Sequence, residues 1–213
     1  MEARAIVSTA AGIALTAVIV QAAAELGNFG FGTDLHALNA DEEFNAFAWA
    51  SSVSTFAAAF FLFIPAAAAG MPDRLTVLLA GAIAFLSLDD AIGLHERLAE
   101  RSIDVLDADV SLQRVVWPLV YLPLLAFVFI MLWRMASEPT APISTALKAG
   151  LFLLVAAIFA ELTSALYVEE GVDTWASAFE VSFEEGAELA GWILIAGGLA
   201  ALAYLHAERG RRA

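Results

Sequence analysis

The sequence contains no cysteine, and this absence removes several kinds of chemistry at once. Disulfide bonds, iron–sulfur clusters, thiolate metal sites and cysteine nucleophiles all require a residue that the chain does not have. Lysine is almost as scarce, since Lys148 is the single lysine. A retinal Schiff base requires a lysine in the middle of a late transmembrane helix, and Lys148 lies near the end of a hydrophobic stretch. The sequence therefore predicts neither an iron–sulfur cluster nor retinal.

Basic residues and histidines are also few. Ten Lys and Arg stand against 24 Asp and Glu, and the net charge of −14 has the wrong sign for binding nucleic acid and the right sign for attracting cations. None of the three histidines forms a pair in the middle of a span, which excludes a haem held between helices. The chain also lacks the Glu-x-x-His repeat of di-iron bundles, a Gly-rich phosphate loop and a His-Glu-x-x-His helix. The sequence does not specify a reaction.

Hydrophobic residues are abundant and make up 61% of the chain, against about 45–50% in soluble domains. Crossing the hydrocarbon core of a bilayer takes about 20 mostly apolar residues. We predict six spans, at Ile6–Ala24, Phe44–Gly70, Leu75–Leu94, Val115–Met135, Ala146–Val168 and Ser177–Tyr204. We therefore expect an all-α, polytopic integral membrane protein in which residues 1–213 form a single six-helix bundle with short loops in the lipid bilayer. The segment Leu98–Gln113 is predicted to lie at the membrane surface as a short amphipathic stretch.

An even number of crossings places both termini on one side of the membrane, and basic residues are concentrated there. Seven basic residues fall on the side of the termini and three on the other side. By the positive-inside rule, the N- and C-termini are predicted to be cytoplasmic. Four tryptophans near span ends, among them Trp117, are interpreted as anchors at the membrane surface.

Most acidic residues lie on the side away from the termini, which we call the far side. Only Glu2, Asp73, Glu138 and Glu208 of the 24 fall on the terminus side. Acids inside spans are the informative ones, because an ionised carboxylate near the centre of a membrane helix costs about 2.5–3.5 kcal/mol. Three of these acids lie at one level: Asp89, Glu161 and Glu188. At 1.5 Å per residue, each is about 21–24 Å from the terminus-side end of its span. Side chains of other spans reach a similar depth, namely Ser51, Ser52 and Tyr121.

A second tier of polar residues is predicted above this layer, closer to the far-side surface. It consists of His95 and Glu96 at the end of the third span, Glu184 and Glu185 at the start of the sixth, and Glu25 at the end of the first. In a continuous helix, Asp89 and Glu96 share a face, as do Glu184 and Glu188. Small residues below Glu188, Gly191 and Gly198, are expected to help spans three and six approach. The spacing leaves open which of Asp89 or Asp90, and which of Glu184 or Glu185, faces the cluster.

Carboxylates gathered inside a membrane predict a bound cation or shared protons. Oxygen-rich ligation suits Ca²⁺, Mg²⁺ or Mn²⁺ better than zinc, which favours imidazole and thiolate. The candidate metal ligands are Asp89, Asp90, His95, Glu96, Glu161, Glu184, Glu185 and Glu188, with Ser52, Tyr121 and Glu25 in support. The alternative is that protonated acids join the helices by hydrogen bonds to Ser52, Ser87, Ser164 or Tyr121, with no ligand.

One stretch carries a resemblance to other proteins. Ser87-Leu-Asp89-Asp90-Ala-Ile-Gly-Leu-His95-Glu96, followed much later by Glu184-Glu185-Gly-Ala-Glu188, resembles a pattern in uncharacterised prokaryotic multi-pass membrane proteins. The resemblance covers about 15 positions. It implies a helical membrane fold in a prokaryotic cell membrane and transfers no activity.

Three functions are compatible with these features. The first is an outward-facing, cation-binding membrane protein, either a metal-dependent enzyme or a binding or sensing module. The second is a proton- or cation-coupled transporter or channel, although the almost purely apolar terminus-side half counts against a complete path. The third is an accessory or structural subunit of a membrane complex, associated with another membrane protein or with further copies of itself.

Overall fold

The computed structural model describes residues 3–33, 35–39, 45–68, 73–95, 97–98, 101, 113–137, 140–164 and 174–212. Within these ranges the structure has six long α-helices and one short 3-10 turn, His36–Leu38, and the described residues between 94 and 101 are also helical. The helices are α1 (Ala3–Phe31), α2 (Ala46–Ala68), α3 (Arg74–Ile92), α4 (Gln113–Met135), α5 (Ala141–Ser164) and α6 (Trp175–Arg212). Most of the predicted surface segment Leu98–Gln113, and Glu96, lie outside the described residues.

The predicted all-α fold with six membrane-crossing helices is confirmed, because each helix is long and apolar enough to span a bilayer. Two helices extend well past their predicted limits. Helix α1 has 29 residues, and α6 has 38, about 57 Å at 1.5 Å per residue. Since the hydrocarbon core is about 30 Å thick, α6 is longer than the membrane requires. Hydropathy detects only the apolar part of such a helix.

Helix α6 is the centre of the bundle. It packs along α1, α5 and α2, while α3 packs mainly on α2, and α4 lies between α5 and α3. Helices α1 and α6 run antiparallel: Ala10 faces Gly197, Gln21 faces Gly186, and Gly30 faces Trp175. Because α6 touches three neighbours, its side chains can join groups that come from different faces of the bundle.

Glycine brings α5 and α6 into backbone contact. A Cβ atom on Gly150 would lie 2.6 Å from the carbonyl oxygen of Gly191, and one on Gly198 would lie 2.9 Å from Leu147. Small residues of this kind let membrane helices approach closely. The small-residue face of α6 therefore receives α5, and not α3 as the sequence led us to expect.

Helix α3 has a defined start and end. The carboxylate of exposed Asp73 accepts hydrogen bonds from the backbone N–H groups of Leu75 and Thr76, as an N-cap does. At the other end Gly93 adopts φ 58°, the left-handed conformation that glycine tolerates best. The helix ends at Ile92, and Glu96, which was predicted to share a helical face with Asp89, lies outside the described residues. The chain turns at Gly93 and brings His95 back towards Asp89.

The terminus-side half of the bundle has an apolar core. Its members include the fully buried residues Ile83, Leu132, Ile143, Leu147, Ile195 and Leu199. The only lysine, Lys148, lies 5.6 Å from the centre of the Trp133 ring, consistent with its predicted place near a span end. The polar residues discussed below lie above this core, on the far side.

Candidate functional site

Both oxygens of the Asp89 carboxylate, in the far-side layer, have a hydrogen-bond partner. Asp89 is 5% exposed, and its Oδ1 atom accepts a hydrogen bond of 2.7 Å from the hydroxyl of Tyr121. Its Oδ2 atom lies 2.8 Å from Nδ1 of His95. The turn at Gly93 makes the second contact possible, because His95 in a continued helix would point away from Asp89. Helices α3 and α4 are thereby joined by a hydrogen-bonded array, Tyr121–Asp89–His95.

The Trp117 side chain extends this array along α4 towards α5. Its Nε1–H donates to Oε1 of Glu161 at 2.5 Å. Its ring lies 4.9 Å, centroid to centroid, from the His95 imidazole, and Tyr121 stands 6.0 Å away on the next turn. Trp117 therefore does more than anchor the helix at the surface, because it binds one of the predicted intramembrane acids.

Asp90 of α3 and Glu188 of α6 form a second polar group together with Ser51 of α2. The two carboxylates interact electrostatically, and Glu188 also interacts with Asp89 and His95. Ser51 of α2 stands between them: its hydroxyl donates to Oε1 of Glu188 at 3.4 Å and is within hydrogen-bonding reach of Asp90. The Oδ2 atom of Asp90 is buried and has no hydrogen-bond partner. We call this space, bounded by Asp90, Glu188 and Ser51, the carboxylate gap.

The remaining predicted acids of α5 and α6 form another group, in which Glu184 lies one helical turn from Glu188. Glu184 interacts with Glu161 of α5, with its neighbour Glu185, and with Glu180, which is one turn away and 8% exposed. The predicted layer is thus divided into two groups of interacting residues. One contains Asp89, Asp90, His95 and Glu188, and the other contains Glu161, Glu180, Glu184 and Glu185.

Two residues proposed as supports lie elsewhere. Ser52 pairs with Ser87 in a reciprocal contact between α2 and α3, in which each hydroxyl donates to the other residue's carbonyl oxygen, at 2.8 and 2.7 Å. Glu25 is buried on the face of α1 that packs on α6. This contact lies on a different side of α6 from the carboxylate gap.

The sequence did not identify every partner of the predicted residues. Ser51, rather than Ser52, contacts the carboxylates, and nothing in the spacing distinguished these neighbours. Gln21 was missed entirely, although it stands four residues from Glu25 and the two therefore share a face of α1.

The arrangement does not resemble a preformed multi-ligand metal centre. Among the described residues, no three His, Asp or Glu side chains are grouped closely enough to hold one ion. The geometry offers instead a pair of carboxylates from two helices, a hydroxyl between them, and an imidazole nearby. Such a pair can hold a cation together with water ligands, or it can share a proton.

The chain matches the family described as Domain of unknown function (DUF8692) over residues 5–202, and it belongs to that family. No curated protein and no solved structure matches it. The family description names no activity, so any functional argument starts from the geometry of the far-side layer.

Proposed function

We propose that the protein is an outward-facing membrane protein that binds a cation in the carboxylate gap, between Asp90 of α3 and Glu188 of α6. The observation that carries the proposal is the buried Oδ2 atom of Asp90, which has no hydrogen-bond partner and has another carboxylate beside it. A buried polar atom left unsatisfied costs free energy, and two neighbouring carboxylates repel each other in a low dielectric. A cation between them removes both penalties.

The chemistry of the gap suits a hard divalent ion that keeps part of its water shell. Mg²⁺ is usually bound through one or two carboxylates and several waters, and Ca²⁺ and Mn²⁺ also take oxygen ligands. Asp90 and Glu188 supply two carboxylates, whose combined charge matches a divalent ion, and Ser51 supplies a hydroxyl. Zinc sites are more often built from imidazole and thiolate.

Asp89 has a supporting role in this proposal, although its sequence position made it a candidate ligand. Both of its oxygens are engaged, one by Tyr121 and the other by His95. The Tyr121–Asp89–His95 array holds the end of α3 against α4 and so fixes the backbone that carries Asp90.

A binding or sensing module is favoured over a transporter. Transport requires a polar path to the other side of the membrane, whereas the core between the carboxylate gap and the terminus side consists of tightly packed apolar side chains. Among these, Ile83, Leu151 and Ile195 are at most 1% exposed.

The proposal is tested by thermal unfolding of the detergent-solubilised protein in chelator and in increasing Mg²⁺, Ca²⁺ or Mn²⁺. A ligand that binds only the folded state stabilises it by about 2.7 kcal/mol at 100 times its Kd, a rise in Tm of about 5–11 °C for a chain of this size. Asp90→Asn and Glu188→Gln should abolish the rise. Glu208→Gln, which removes a carboxylate near the C-terminus, should preserve it.

Two results would contradict the proposal. The Tm of the parent protein would be the same in chelator and in all three ions, or the Asp90→Asn and Glu188→Gln proteins would respond like the parent. Either result would favour the accessory-subunit alternative, in which the acids only join helices or bind another protein.

The outward-facing orientation has its own test. In a chain without cysteine, Ala37→Cys and Gly210→Cys place single thiols at exposed positions on opposite sides of the membrane. An impermeant maleimide added to intact cells should label Ala37→Cys and leave Gly210→Cys unlabelled. Labelling of Gly210→Cys alone would reverse the orientation and place the carboxylate gap on the cytoplasmic side.

A further inference from the structure

A second polar site lies between α1 and α6, away from the carboxylate gap. Gln21 is 0% exposed, and neither its amide oxygen nor its amide nitrogen has a hydrogen-bond partner. On α6, the hydroxyl of Ser182 is buried and likewise has no partner. Since an unsatisfied buried group costs free energy, buried polar groups normally have a partner, which includes bound waters and ions.

The antiparallel register of the two helices brings these residues into one place. Gln21 Oε1 lies 3.2 Å from the position that a Cβ of Gly186 would occupy. Moving one helical turn outward on both helices pairs Glu25 of α1 with Ser182 of α6. Glu25 is buried too, so half of the four buried residues in the described part of α1 are polar.

From this arrangement we infer a binding site for a monovalent cation, formed by the carboxylate of Glu25, the amide oxygen of Gln21 and the hydroxyl of Ser182. All three are hard oxygen ligands of the kind that alkali and alkaline-earth ions take. One carboxylate among neutral oxygens balances a single positive charge, which matches Na⁺ better than a divalent ion. The absence of a side chain at Gly186 leaves the space that Gln21 uses.

This site is independent of the proposed function. Gly186 and Glu188 are two residues apart on α6, which places them about 200° apart around the helix. One site therefore opens towards α1 and the other towards α2 and α3. Loss of one site should leave the other intact.

The test compares thermal unfolding of the detergent-solubilised full chain in NaCl and in choline chloride at equal concentration, with chelator present. Choline is too large for the site, so it controls for ionic strength. The parent Tm should rise with the logarithm of the Na⁺ concentration and stay constant in choline chloride. Glu25→Gln, which keeps the shape of the side chain, and Ser182→Ala should each abolish the difference between the two salts.

Further variants separate the possible causes of such a result. Glu188→Gln should retain the Na⁺ response, which assigns it to this site and not to the carboxylate gap. Thr16→Val, which removes an exposed hydroxyl on the same helix, should retain it as well. Gln21→Leu should abolish it. The inference is overturned if the parent Tm is equal in both salts, or if Glu25→Gln keeps the Na⁺ response. It is also overturned if Gln21→Leu lowers the Tm by the same amount in NaCl and in choline chloride, because Gln21 then binds a water and not Na⁺.

Discussion

The two halves of the bundle are held together by different kinds of contact. On the terminus side, buried Leu, Ile and Ala side chains interdigitate, and α5 approaches α6 at glycine. On the far side, serine, tyrosine, tryptophan and histidine side chains form hydrogen bonds to carboxylates and thereby join five helices, α2 to α6. Lipid tails are as apolar as leucine, so the apolar half gains only from close packing, whereas the polar half gains from bonds that lipid cannot offer.

This difference teaches where function can be placed in such a protein. Polar side chains within a membrane are expensive and are therefore seldom idle. The apolar half provides a packed base that does not depend on ions or pH. The polar half contains carboxylates and an imidazole, whose charge can change with pH. Each prediction below tests whether the two halves differ in this way.

The largest effect is expected in the apolar half, from Gly150→Ala. The new Cβ would lie 2.6 Å from the Gly191 carbonyl oxygen and 2.7 Å from Ile195, so α5 and α6 must separate. Overpacking of this kind costs about 3 kcal/mol or more when backbone atoms cannot move aside. Unfolding in a denaturing detergent titration measures the loss.

Gly81→Ala is the matched control for this substitution. No atom lies within 4 Å of the position that its Cβ would take, so the change should stabilise α3 by about 0.5–1 kcal/mol. Equal effects of Gly150→Ala and Gly81→Ala would show that backbone contact does not hold the apolar half together.

The next largest effect is expected in the polar half, from breaking the contact between Asp89 and Tyr121. Tyr121→Phe removes the hydroxyl that donates to Oδ1 of Asp89 and leaves this buried oxygen without that donor. The expected loss in the free energy of unfolding is about 1–3 kcal/mol. In a double-mutant cycle with Asp89→Asn, the two changes should be non-additive because the residues touch. Tyr204→Phe, which removes a partly buried hydroxyl bonded to Glu208, is the control and should cost less. Additive effects of Asp89→Asn and Tyr121→Phe would show that the array does not act as a unit.

The fold was largely predictable from the sequence because the bilayer imposes one rule on every span. About 20 apolar residues are needed to cross it, and hydropathy reads that length directly. Helix ends followed other rules. Helix α6 continues to Arg212 through polar residues that carry no hydropathy signal, and α3 stops at Gly93 because of a backbone conformation.

The sequence could predict how far along its helix each candidate residue lies, but not which neighbouring helix the residue faces. A rise of about 1.5 Å per residue places Asp89 and Glu188 near one level, and this count needs no knowledge of the neighbours. Which helix each acid faces depends on how the helices pack. Packing places Ser51, and not Ser52, against Glu188. It also placed Glu161 with Trp117 and Glu184 rather than with Asp89.

A smaller effect is expected where the two kinds of contact meet, between α2 and α3. Ser87→Ala removes one donor from the reciprocal pair with Ser52. Hydrogen bonds between membrane helices average about 0.6 kcal/mol, so we expect a loss of about that size. Ser54→Ala, whose hydroxyl bonds only its own helix at Ala50, should cost less. A greater loss for Ser54→Ala in the same detergent titration would argue against polar bonds between helices as the source of stability.

The smallest effect is expected at Asp73, an acid on the terminus side whose role is confined to one helix end. The hydroxyl of Thr76 and the backbone N–H of Leu75 donate to its carboxylate and lower its pKa below the ordinary value of 3.8. Because the ionised form is favoured in the folded state, the cap contributes its stability at neutral pH and loses it as the pH falls through that lowered pKa.

Carboxyl-carbon NMR of the protein in micelles should find the Asp73 midpoint below 3.8, and Thr76→Val should move it upwards because the hydroxyl is the larger cause. Stability measured between pH 7 and pH 5 should not respond to Asp73, since the carboxylate is ionised throughout that range in both the folded and the unfolded chain. A midpoint at or above 3.8 in the parent would show that Asp73 does not cap α3. Because Asp73 stays ionised between pH 7 and pH 5, any change of stability in that range has to come from other groups. The polar half contains most of the acids that could cause it.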